Sequence, residues 1–171
     1  MEIIDEVKIP KERVGVLIGK EGKVKREIEK ITETKLEIDS ETGLVKVNRS
    51  KSKNQLISVF ARDIVKAIGS GFTPKKSLKL LDESYYMQQI DVKDHIPESQ
   101  LKRIKARVIG TGGRIRKMVS EMTNTDIVIY KNNLNIIGTA ENGDMAYNAL
   151  MMLVQGASHK TVFKFIRRNM V

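Results

Sequence analysis

The chain repeats itself. Set against each other at a shift of 91 residues, IGKEGKVKREIEKITETKLEI from Ile18 and IGTGGRIRKMVSEMTNTDIVI from Ile109 align over 21 positions without a gap. Gly19 meets Gly110 and Gly22 meets Gly113. Val24, Ile28 and Ile31 meet Ile115, Val119 and Met122, Thr34 meets Thr125, and Leu36 and Ile38 meet Ile127 and Ile129. A second match, at a shift of 85, joins Ala61, Val65, Ile68, Gly71 and Lys75 to Ala146, Leu150, Leu153, Gly156 and Lys160. A repeat of about half the chain restricts the architecture to two copies of one small unit, and two such copies use nearly all of the 171 residues.

Periodicity gives the order of elements within a copy. Residues 3–9 read as a strand that Pro10 ends, because proline has no N–H to donate. Residues 11–18 read as a short helix with Val14, Leu17 and Ile18 on one side. Gly19-Lys20-Glu21-Gly22 breaks it, and a helix over 23–32 follows, with its stripe at Val24, Ile28 and Ile31. Leu36 and Ile38 alternate with polar residues, which predicts a strand over 35–39; a turn at 41–43 leads to a strand over 44–47. A third helix over 53–68 turns Ile57, Phe60, Ile64 and Ile68 inward and stops at Gly69-Ser70-Gly71. The second copy follows the same order, with strands over 87–92, 126–130 and 134–137 and helices over 114–122 and 144–154. A linking helix is expected over 74–82, and its counterpart in the second copy is a C-terminal helix over 160–168. Both copies are therefore α+β units of order β-α-α-β-β-α, with boundaries at 1–73, 74–84 and 85–171. The stretch from Val92 to Gly110 is longer than that from Ile9 to Gly19, so its helix, expected over 98–107, should be longer and more exposed.

A helix, a Gly-x-x-Gly turn and a second helix present backbone N–H groups at a fresh helix N-terminus, an arrangement that attracts phosphate. Glycines keep the turn free of Cβ atoms that would hold a sugar-phosphate backbone away. Basic residues follow each turn at once: Lys23, Lys25 and Arg26 in the first copy, Arg114, Arg116 and Lys117 in the second. Beside each turn an apolar groove for unpaired bases is expected, from Val14, Ile18, Leu36 and Ile38 in one copy and Val108, Ile109, Ile127 and Ile129 in the other. The formal net charge of +10 makes polyanions the natural partners. The charge is uneven. Between Lys102 and Lys117 lie seven basic residues, among them Arg103 and Arg107, and no acidic one. The first turn carries Glu21; the second has Thr111 and Gly112 at the corresponding places. The second copy is therefore expected to be the principal nucleic-acid clamp and the first an auxiliary, unless the basic run is merely a solvated helix face.

With these residues in view, the chain resembles tandem type I KH-domain proteins. It is most similar to the archaeal two-KH relatives of eukaryotic small-subunit ribosome-assembly factors, on the strength of the two turns, the stretch RVIGTGGR from Arg107 and the tail GASHKTVFKFI from Gly156. The resemblance implies a clamp on about four nucleotides of single-stranded nucleic acid. It further implies binding to the 3′ region of small-subunit rRNA, partnership with the PIN-domain endonuclease that matures that end, contact with the alpha subunit of translation initiation factor 2, and a cytoplasmic protein.

Other chemistry finds little support. There is no Cys, which excludes disulfides, thiolate metal sites and a Cys nucleophile. His95 and His159 stand far apart in sequence with no clustered carboxylates at ligand spacing, and neither turn is a Walker loop, so no metal, cofactor or enzymatic activity is expected. Acidic residues at positions 2, 5 and 6 do not suit an export signal, and the longest apolar run, Ala149 to Val154, is too short to span a bilayer. Val128 and Tyr130 make the outer face of the 126–130 strand apolar, a face for the other copy or for a protein partner. His159 and Lys160 open the last helix, where the resemblance implies contact with RNA or a partner. Two other functions stay open: a general single-strand binder or mRNA regulator, and a protein-interaction scaffold whose first KH unit is degenerate.

Overall fold

The computed structural model describes residues 2–170, which fall into two compact units that divide between Glu83 and Ser84. In the first unit the elements are β1 (Ile4–Lys8), α1 (Lys11–Ile18), α2 (Lys23–Thr32), β2 (Lys35–Ile38), β3 (Leu44–Asn48), α3 (Gln55–Gly69) and a single helical turn α4 (Pro74–Ser77). In the second they are β4 (Tyr85–Asp91), α5 (Leu101–Ile109), α6 (Arg114–Thr123), β5 (Asp126–Tyr130), β6 (Asn133–Thr139), α7 (Ala140–Val154) and α8 (His159–Asn169). Each unit has one antiparallel three-stranded sheet, ordered β1-β3-β2 and β4-β6-β5, so the third strand in sequence lies at the centre. Its partners run Val7↔Val45 and Leu36↔Val47 in the first sheet, Ile90↔Leu134 and Ile127↔Ile136 in the second.

One face of each sheet carries the helices, and the apolar residues between them form the core. In the first unit this core includes Val7, Leu17, Ile28, Leu36, Val45, Val47, Ile64, Ile68 and Phe72; in the second, Ile90, Ile104, Val108, Val119, Ile127, Leu134, Ile136, Leu150 and Ile166. The repeat extends to single hydrogen bonds. Thr32 Oγ1 donates to the Ile28 carbonyl at 2.6 Å and meets Thr34 Oγ1 at 2.8 Å; Thr123 Oγ1 donates to Val119 O at 2.7 Å and meets Thr125 Oγ1 at 2.9 Å. The first hydroxyl of each pair spends its proton on the helix, so the second must donate to it. The residue between, Glu33 or Asn124, is left-handed at φ 54° or 52° and turns the chain from helix to strand.

The structure differs from the periodicity reading in several places. The stretch 74–82 is not one helix: α4 is followed by a 3₁₀ turn, Leu78–Leu81, and Ser77 and Leu80 are buried as both pack on α3. The helix expected over 98–107 is Leu101–Ile109, one residue longer than α1, with Leu101, Ile104 and Val108 buried. The additional residues go into 3₁₀ turns at Val92–Asp94 and Glu98–Gln100. α7 begins four residues early, because the Thr139 hydroxyl accepts the Asn142 N–H and starts the helix there. Ile31, read as part of the α2 stripe, is 38% exposed, and Ile57 and Phe60 are half-buried while Ala61 and Val65 take the inner positions of α3.

Candidate nucleic-acid interface

The two Gly-x-x-Gly turns are nearly the same object. α1 ends at Gly19 (φ 74°, ψ 174°), whose N–H still bonds Gly15 O at 2.9 Å; α5 ends at Gly110 (φ 75°, ψ 172°), bonding Ala106 O at 2.9 Å. One 3₁₀ turn follows in each, closed by Gly22 N–H to Gly19 O and by Gly113 N–H to Gly110 O, both 3.1 Å. Gly22 and Gly113 are left-handed at φ 74° and 76° and release the chain into α2 and α6. The first glycine has a packing reason as well. A Cβ on Gly19 would sit 2.4 Å from Val24 Cγ2, and one on Gly110 would sit 2.4 Å from Ile115 Cγ1. At these two positions glycine serves the fold itself, in addition to any room it leaves for a ligand.

The turns differ in what surrounds them. In the first, Glu21 holds φ 55°, a conformation that costs a residue with a Cβ about 1 kcal/mol. Its carbonyl accepts Arg26 Nη1–H at 2.6 Å, so that guanidinium folds back on the turn. Gly112 takes the same place in the second turn at φ 62°, with no atom within 4 Å of where a Cβ would be. Thr111, Gly112 and Arg114 are exposed, and among the described residues Arg114 makes no hydrogen bond or ion pair. Lys117 lies 4.0 Å from Glu121, but both are about two-thirds exposed, so the pair holds the lysine only weakly.

Beside the first turn lies an open groove of about 390 Å³, lined by Ile18, Gly22, Lys25, Arg26 and Ile38. Lys20 and Lys23 stand exposed at its turn. Of the apolar residues expected in the two grooves, Ile18, Ile38, Ile109 and Ile129 are partly accessible. Val14, Leu36, Val108 and Ile127 are 4%, 1%, 0% and 1% exposed, so they belong to the cores and line no groove. In the second unit Arg116 Nη1–H bonds Ile127 O at 3.1 Å, a link from α6 to β5 that the shorter Lys25 does not make.

Three residues of the expected site are tied down elsewhere. Arg103 forks onto Gln100 Oε1 at 2.6 and 3.1 Å, at the start of its own helix. Arg107 donates to Leu153 O at 2.8 Å and to Ala157 O, closing the C-terminal end of α7. His159 Nε2–H donates to the Arg107 carbonyl at 3.1 Å, while Lys160 is exposed. The first unit satisfies the equivalent carbonyls, Ile68 O and Phe72 O, from Arg13 at 2.8 Å each, although Arg13 stands six residues before its glycine and Arg107 three. Sequence reasoning missed Arg13 because the alignment places Ile104 opposite it. Val128 and Tyr130 are half-buried, and Asn135 and Ile137 beside them on the same face are buried.

The family profile described as a eukaryotic-type KH domain, KH-domain type I, matches residues 86–171, and a general KH-domain profile matches residues 4–62. The chain belongs to the type I KH-domain family. This tandem KH chain is 42% identical over 167 residues to a KH domain-containing protein of Methanocaldococcus jannaschii, covering 97% of itself and 74% of that protein. It is 31% identical over 109 residues to the pre-rRNA-processing protein PNO1 of Chaetomium thermophilum, covering 61% of itself and 42% of that relative, so it spans less than half of the eukaryotic protein. Among solved structures it is similar to Dim2p of Pyrococcus horikoshii, with a TM-score of 0.91, 41% identity and coverage of 97% and 99%. It is equally similar to the Dim2p chain in a complex with a/eIF2alpha and rRNA from the same organism, with a TM-score of 0.92, 40% identity and coverage of 98% and 93%.

Proposed function

We propose that this chain is a non-catalytic single-stranded RNA-binding factor of small-subunit ribosome assembly, which binds near the 3′ end of the rRNA and uses the second KH unit as its principal clamp. The observation that carries the reading is the second turn: exposed and free of acid, it opens onto the exposed Arg114 and Lys117, with Arg116 beside them bonded to Ile127 O. A relative named for pre-rRNA processing, and a relative crystallised with rRNA, support the ribosomal part. The same complex contains the initiation factor 2 alpha subunit, which we take as a partner of this chain. The PIN-domain endonuclease and the cytoplasmic setting follow from the same assignment.

A second reading fits the first unit alone. Its turn carries Glu21, and Arg26 is spent on the turn carbonyl, so this unit suits an auxiliary or protein-binding role. Titrating the full chain with RNA ending in the mature small-subunit 3′ sequence, and with a scrambled version, tests the assignment. Tighter binding to the native sequence is expected, and equal affinity sinks the specific ribosomal role. Thr111→Asp or Gly112→Asp should weaken binding by tenfold or more while Lys20→Asp costs a few-fold, since an acid beside a held phosphate repels it. Equal losses remove the asymmetry between the units.

A further inference from the structure

The second turn has two sides. On α6, Arg116 and Lys117 correspond to the groove-lining Lys25 and Arg26 of the first unit, whereas Arg114, Ile115 and Met118 lie roughly on the opposite face at 100° per residue. On that opposite face is an open cleft of about 650 Å³ between α5, α6 and α8, with Gly110, Thr111, Arg114, Met118, His159 and Phe163 in its wall. Gly110 and Thr111 thus belong both to the turn and to the cleft, so a strand laid across the turn has a place to continue.

We propose that this cleft is a second nucleotide subsite, taking the base of the RNA residue adjacent to the one whose phosphate sits at the Gly110–Gly113 turn. The inference rests on the RNA-binding reading above and adds to it a site outside the groove. The lining suits a base. Phe163, half-buried against the core, and Met118 provide apolar surface, while Arg114 and His159 provide cationic and polar partners at the rim. The polar edge is preorganised. The Arg107 guanidinium is fixed on two carbonyls at the end of α7, and its own carbonyl holds the His159 ring through Nε2–H.

Comparison with the first unit shows that the fold does not demand these side chains. At the shift of 85, Pro74 stands at the place of His159 and Leu78 at the place of Phe163. The helix there is four residues long against eleven in α8. Both helices start in the same way, with Thr73 or Ser158 accepting the N–H three residues on, at 3.2 and 3.1 Å. The first unit thus closes its core with an element that itself carries no aromatic or imidazole, Phe72 standing just before it in the core. The second lengthens the helix and sets both beside the turn.

The test uses the full chain and RNAs that carry the small-subunit 3′ sequence, shortened one nucleotide at a time from eight to four at either end. In the unaltered protein, removal of one nucleotide should cost about tenfold in affinity as its base leaves the ring. Phe163→Leu, which installs the first unit's residue, should abolish that step, leave the four-nucleotide affinity unchanged and keep the thermal melt. A 4-thiouridine at the same position should crosslink to the α8 peptide. A step that survives Phe163→Leu, or crosslinks confined to the groove side, overturns the subsite and leaves the RNA reading in place. If none of the RNAs binds, both readings fall. If Phe163→Leu lowers the melt, His159→Gln must abolish the same step instead, and a step that persists in that variant refutes the proposal.

Discussion

Gly110 and Gly112 are two residues apart, both at positive φ, and they do different things. The space for a Cβ at Gly110 is already taken by Ile115, at 2.4 Å from Cγ1 and 2.9 Å from its backbone N, while the space at Gly112 is open. Gly110→Ala therefore combines a clash with an unfavourable φ and should lower stability by about 2 kcal/mol or more. Gly112→Ala meets only the conformational penalty, about 1 kcal/mol. Glu21→Gly in the first turn should gain a similar amount by relieving a side chain held at φ 55°. Urea unfolding followed by circular dichroism orders the three, and equal losses for the two alanines would show that the Ile115 contact yields. The spacing of the glycines was legible in the sequence; which one the core demands was not, because that depends on how closely the following helix returns.

At the scale of elements, the start of α3 depends on an acid from the turn that ends another helix. Glu33, in the turn after α2, accepts the N–H groups of Lys53 and Asn54 at 3.0 and 2.9 Å and the Ser52 hydroxyl at 3.2 Å, while Asn54 itself caps α3. These bonds, the Asn54 N–H foremost, hold its carboxyl below the usual carboxylate value of 4.5. A carboxyl with a depressed folded pKa contributes stability that is present above the unfolded value and lost as pH falls through the folded one. Amide exchange over residues 52–57 should therefore quicken as pH drops below about 4.5, beyond the intrinsic trend. In Glu33→Gln the loop should be looser at neutral pH and indifferent to this range; unchanged protection in that variant would remove Glu33 from the role. The second unit turns the corner with Asn124 and has no such acid, which shows how two copies reach one fold with different local supports.

Across the whole molecule, the net charge of +10 divides into +4 over residues 1–75, from 16 basic and 12 acidic residues, and +6 over 76–171, from 15 and 9. Counterion release makes the RNA affinity fall with salt by about 0.7 log units per phosphate neutralised. Arg114→Gln should lower the salt slope by about that amount, and Lys23→Gln, its counterpart in the first unit, by less; equal changes would place the two units on the strand alike. The sequence by itself determined the two-copy architecture, the order of elements and the place of both turns. All of these follow from local periodicity and from glycines at fixed spacing, which any fold of this chain must respect. Only the tertiary structure decided that Val14, Leu36, Val108 and Ile127 lie beneath the surface. It also decided that Arg107 and Arg13 reach matching carbonyls from unmatched positions, and that Phe163 faces a cleft as well as a core. The reason is physical: a side chain's destination is set by the neighbours that fill the space around it, and those neighbours come from parts of the chain that no local pattern connects.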